Sequence, residues 1–122
     1  MPDAAHIPIG VAVTPCRKGR LRDAYPVGEH DVEIEIPAAL RGPERVAMLR
    51  RAVTAVERAN PLCRRIVLAT EIDDVDALSA TEDAGFRYVL DIDLLGASYC
   101  LAVVEPAWVT EVDMDLDRVP ER

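Results

Sequence analysis

The sequence predicts an α/β chain (α+β in the sense that its sheet is mixed) with the order strand, strand, helix, strand, helix, strand, strand. Three observations carry this. Residues 31–36 alternate, with Val32, Ile34 and Ile36 on one side and Glu33 and Glu35 on the other, the period of a half-buried strand. Val46, Leu49, Val53 and Val56 recur at helical spacing, with Arg50, Arg51, Glu57 and Arg58 on the opposite side. Ile66-Val67-Leu68-Ala69 is a continuous apolar run, which suits a strand covered on both faces at the centre of a sheet.

Residues 7–14 form a first apolar run, and Pro8 and Gly10 confine it to a sheet edge. Residues 15–29 are rich in Arg, Pro and Gly and read as a mobile surface loop; their basic run, Arg17 to Arg22, is either a solvated loop or a site for an acidic ligand or partner. Pro37 ends the alternating strand. Pro43 and Glu44 suit the first turn of the long helix, because proline lacks only an N–H that has no partner there. Asn60-Pro61 stops that helix.

The second helix lies between Asp73 and Phe86. Asp73, Asp74 and Asp76 favour its positive N-terminal end, and Gly85 supplies the left-handed residue that closes the other. Phe86, Tyr88, Leu90, Ile92 and Leu94 then alternate, predicting a long strand with one apolar face. A hairpin turn at Leu95-Gly96-Ala97-Ser98 leads into an apolar strand over 99–104, with Cys100 packed in it, stopped by Glu105-Pro106. Residues 110–122 are an acidic, frayed tail in which Val112, Met114 and Leu116 could form a short edge strand. A right-handed parallel crossover surrounds the long helix, and the last two strands pair antiparallel.

The chain has 122 residues, half of them hydrophobic, which predicts one domain over 1–122. Its formal net charge of -8 argues against nucleic acid and anionic membrane partners. Cys16, Cys63 and Cys100 are an odd number without close spacing, so they read as reduced thiols of a cytoplasmic protein, with Cys16 the one in an accessible, basic setting. His6 and His30 lack neighbours at ligand spacing, so no metal site is expected. The N-terminus has no basic region followed by a long apolar run, and residues 94–104 are too short to span a bilayer. Trp108 is a lone aromatic that could pack over the sheet end or cap a partner surface.

Asp74, Ala77, Thr81, Gly85 and Phe86 fall at the spacing of Asn-x-x-Ala-x-x-x-Tyr-x-x-x-Gly-Phe. That pattern resembles the late helix of the GNAT family of acyl-CoA-dependent N-acetyltransferases. The element order from Val32 onward is similar to the family's β-α-β-α-β-β core, so the resemblance covers about the last two thirds of the chain and implies a short, degenerate member without the usual N-terminal strand and helix pair. It implies acetyl-CoA or another acyl-CoA as cofactor and an amine as acceptor. The family's connector, approximately Arg/Gln-x-x-Gly-x-Gly/Ala, holds a pyrophosphate on backbone N–H groups; Arg41, Gly42, Arg45, Val46 and Ala47 are the matching residues here, with one extra residue in the register and no middle glycine.

Pro43 removes one donor from that cradle. Glu44 adds a carboxylate, whose repulsion of a phosphate at ~4 Å would be roughly 4 kcal/mol at an effective dielectric of ~20. The resemblance makes Glu33 and Glu35 candidates for the base and puts Thr81 where the family has its Tyr acid. Taken as outward residues of an alternating strand, both carboxylates read simply as a solvated face, and Thr81 as an exposed helix position. Two functional readings result: an acyl-CoA-dependent N-acetyltransferase-like protein working mainly by positioning, or a catalytically inactive GNAT-like module acting in protein contacts. A homodimer, with partner strands replacing the missing elements, is a third possibility.

Overall fold

The computed structural model describes residues 7–106; His6, Trp108 and the acidic tail with its candidate strand lie outside them. Strand β1 (Ala12–Pro15) is followed by a short 3-10 turn, β2 (Val32–Glu35), helix α1 (Gly42–Ala59), β3 (Ile66–Glu71), helix α2 (Val75–Asp83), β4 (Arg87–Leu94) and β5 (Ala97–Val104). The five strands form one mixed sheet in the order β1-β2-β3-β5-β4. Only β2 and β3 run parallel; the other neighbours are antiparallel. Both crossovers, β2 to β3 through α1 and β3 to β4 through α2, move the same way across the sheet. Right-handed connections therefore put both helices on one face, where they pack against each other.

Under the helices lies a core of Ile34, Leu49, Val56, Ile66, Leu68 and Phe86, each no more than 4% exposed. α1 ends where the Asn60 N–H donates to the Val56 carbonyl ahead of Pro61. α2 starts on Asp74, whose carboxylate accepts from the Ala77 N–H at 3.1 Å. It closes at Gly85 (φ 99°), with the Phe86 N–H donating to the Thr81 carbonyl, so the glycine supplies the conformation that the sequence required of it.

The opposite face is covered by residues 16–31, which correct the expectation of a mobile surface loop. Cys16 and Leu21 are buried there against Val67, Leu101 and Val103, with Tyr25 and Val27 packed alongside. The segment is held by Asp31, 2% exposed, which accepts from the Tyr25 hydroxyl and the Gly28 N–H, each at 2.9 Å. An apolar sheet face has to be covered, and this polar-looking segment contributes enough apolar side chains to cover it.

β4 also departs from its expected single apolar face. Tyr88 pairs with Ala102 but Leu90 with Leu101, so Val89 is an extra residue. This bulge turns Phe86 and Tyr88 toward the helices, and Leu90, Ile92 and Leu94 toward the loop side. The β4–β5 hairpin closes over Leu95 and Gly96, with φ of 52° and 84°. Such a turn favours Asn-Gly, and Leu95 is 98% exposed with no packing to offset the strain. Leu95→Asn is expected to raise stability by about 1 kcal/mol in urea unfolding.

Cys16 and Cys100 are placed opposite to expectation: Cys16 is buried, as is Cys63, and Cys100 is partly exposed. Burial pushes both Cys16 and Cys63 up to about 11. Alkylation with iodoacetamide at pH 8, read by peptide mass, is expected to label Cys100 well before the other two.

Candidate functional site

β2 and β3 are in register only at Val32–Ile66 and Glu33–Val67. Beyond that, Ile34 and Glu35 pair with β1, whereas residues 68–71 pair with β5. The two parallel strands thus part toward their C-terminal ends and leave a notch whose inner backbone edges have no ladder partner there. A crevice at the carboxyl ends of parallel strands is the usual ligand position in α/β sheets. The first helix starts seven residues after β2 and the second four residues after β3, so the N-termini of both helices stand at the open end of the notch.

Arg41, at the N-cap of α1, links these two helix starts: its guanidinium is 3.1 Å from Asp74 and 3.8 Å from Asp76. The Asp74 carboxylate raises Arg41, and Arg41 together with the Ala77 N–H lowers Asp74. A carboxylate lowered on folding contributes stability above its unfolded range and loses it as pH falls through the folded value. In acid titration of thermal stability, Asp74→Asn is therefore expected to flatten the part of the fall that lies within and below the carboxylate range.

Gly42 has φ 57°, and nothing lies within 4 Å of where a Cβ would stand. Pro43, Glu44 and Ala47 are exposed, and Val46 is partly so. Arg45 is different. It is 7% exposed, donates from Nη1 to the Pro37 and Leu40 carbonyls at 3.4 Å each, and has a buried Nε without a partner. Burial lowers its pKa, partly countered by Asp74.

Glu33 is 3% exposed on the loop-covered face and is not a solvated strand residue. Arg20 grips it from Nη2 at 2.7 Å and Nε at 3.1 Å. The same Nη2 is 3.3 Å from the more exposed Glu35, and the guanidinium carbon lies 5.4 Å from the centre of the Tyr99 ring. Thr81 is likewise buried rather than exposed, on the helix face, with its hydroxyl donating back to the Ala77 carbonyl at 2.8 Å. The sheet therefore separates the carboxylates from Thr81, whereas Arg41, Gly42, Arg45, Val46 and Ala47 stand together at the head of α1. Arg20 is the participant that the sequence reading did not identify; the basic run was its one visible signal. Among the described residues no group of three or more His, Cys, Asp or Glu could hold a metal, and no helix is long and apolar enough to cross a membrane.

No known family profile matches the chain, and no curated protein does. Solved structures do. An uncharacterised protein of Bacillus halodurans superposes with a TM-score of 0.71 at 17% identity, over 83% of this chain and 54% of that one. A protein described as a GNAT-family acetyltransferase of Bordetella pertussis gives 0.51 at 20% identity, over 69% and 52%. NAA60 of Arabidopsis thaliana, solved in complex with acetyl-CoA, gives 0.52 at 18% identity, over 79% and 63%. The fold is GNAT-like, and the chain spans roughly half to three fifths of the length of these structures.

Proposed function

We propose that this is an acyl-CoA-dependent N-acetyltransferase-like protein that takes acetyl-CoA or another acyl-CoA in the notch between β2 and β3, with an amine as acceptor. The observation that carries this reading is the parallel pair that separates after two residue pairs, with a helix N-terminus at its open end. The acetyl-CoA complex of the similarly folded NAA60 supports it. The orphaned Nε of Arg45 is the local test of fit: a buried cation without a carboxylate in hydrogen-bond range suits an anion arriving beside it. The free N–H groups of the first turn and the open backbone at Gly42 would hold the diphosphate, with Arg41 and Arg45 supplying charge and Val46 and Ala47 the adjoining turn. Pro43 contributes no donor. Glu44 is exposed, so solvent screens its repulsion well below the contact value, and the two arginines oppose it.

The bound cofactor would supply the thioester; this chain's own residues would position the amine and accept its proton. Glu35, more exposed than Glu33, is the freer base of the two. A second reading, an inactive GNAT-like module for protein contacts or homodimerisation, is favoured by the double grip of Arg20 on Glu33 and by the Thr81 hydroxyl bonded to its own helix. Calorimetry with acetyl-CoA and a thiol-release assay with a panel of amines separate these. Absence of binding at millimolar ligand would exclude the acyl-CoA reading. Binding without thiol release would leave the module.

A further inference from the structure

We infer that the cavity beneath α2 is a binding site for a small, uncharged, largely apolar molecule carrying one hydroxyl or carbonyl. It measures about 180 Å³ and is lined by Thr70, Leu78, Thr81, Phe86, Tyr88 and Cys100 among others. Its floor is made by β3, β5 and β4, so it lies on the far side of β3 from the notch and does not rest on the acyl-transfer reading. Thr70 is 4% exposed and its Oγ1 is buried with no hydrogen-bond partner. Thr81 does not satisfy it: its hydroxyl donates to the Ala77 carbonyl, and no hydrogen bond joins the two hydroxyls.

A buried hydroxyl left unpaired is unfavourable; its Oγ1 is closed off as the side chain stands, and a ligand that the Thr70 side chain turns to meet removes that penalty. Water is a poor occupant: it needs two to four polar partners, and the wall is mostly aliphatic, aromatic and thiol. The space suits a single ring, since an apolar cavity of about 150 Å³ is enough to bind benzene. No cation lines it, and its one charged lining residue, Glu82, is solvent-exposed, so an anion gains nothing by entering and a cation little. Burial and Asp91 raise the Cys100 thiol, which favours its uncharged form. Tyr88 is 57% exposed and marks the open side.

Phenol and toluene are the probes, one carrying the polar group and one lacking it. Titrated into the 15N-labelled chain, phenol is expected to shift the amide signals of Leu78, Thr81, Phe86 and Cys100 saturably and to bind more tightly than toluene. Thr70→Val should weaken phenol by about fivefold to tenfold while leaving toluene within about twofold, and Thr70→Ser should retain phenol. Shifts that fail to saturate or that scatter away from these residues would overturn the site. Equal affinities of the native chain for the two probes would overturn the role of the hydroxyl, and this comparison needs no variant to fold. Cys100→Leu, which fills the space, should abolish both; unchanged binding in that variant would also refute the assignment.

Discussion

Arg20→Ala is expected to lower stability by about 3 kcal/mol, the largest loss among the ion-pair substitutions. Glu33 is 3% exposed, so removing its partner leaves a carboxylate in a nearly dry site. Breaking a buried pair in this way typically costs about 3–5 kcal/mol, and the low end applies because the Arg20 side chain is 31% exposed and water can follow it. Glu33→Gln should cost less: it keeps an acceptor for Arg20, which still has Glu35 and the Tyr99 ring. The double variant should recover much of the loss, since the penalty comes from an unpaired charge. Urea unfolding of the four chains yields the coupling. If the two single effects simply add, Glu33 is better solvated than its burial implies. Under the acyl-transfer reading, Arg20→Ala also frees Glu35, the proposed base, along with Glu33, so thiol release should rise as stability falls.

This pair shows where legibility ends. Glu33 and Glu35 occupy equivalent places in the alternation, and nothing in the sequence separates them. What separates them is depth: Glu33 pairs with Val67 inside the sheet, whereas Glu35 stands past the point where β2 leaves β3. That parting is a non-local feature without a local residue signature. The bulge at Val89 is hidden for a related reason, because the alternation from Phe86 to Leu94 continues unbroken while the register slips beneath it. The cover over the second face is concealed by composition; Cys16, Leu21 and Tyr25 are spaced among arginines, prolines and glycines that dominate a turn reading. The helix starts and stops were legible because Asp74, Gly85 and Asn60-Pro61 act on their immediate neighbours.

Arg45→Met is expected to act in the opposite direction, raising stability by about 1–2 kcal/mol. Methionine retains an unbranched apolar stem of similar reach and removes a guanidinium held by two 3.4 Å bonds to carbonyls, with one buried nitrogen unpaired. Burial already lowers the pKa of Arg45, so desolvation of the charge outweighs the help from Asp74. Two carbonyl bonds are lost as well, which keeps the gain modest; it should appear as a rise in the urea midpoint with an unchanged slope. A buried charge of this kind persists where another requirement retains it. If that requirement is an anion at the head of α1, the same substitution should weaken acetyl-CoA about tenfold in calorimetry, consistent with the loss of one charge-assisted contact. Glu44→Gln, at an exposed position in the same turn, should instead tighten it by about twofold to fivefold. Opposite changes in affinity from these two neighbours would place the ligand's negative charge at the first turn of α1. A stabilised Arg45→Met chain with undiminished acetyl-CoA affinity would locate the cofactor elsewhere and leave Arg45 a purely structural burden.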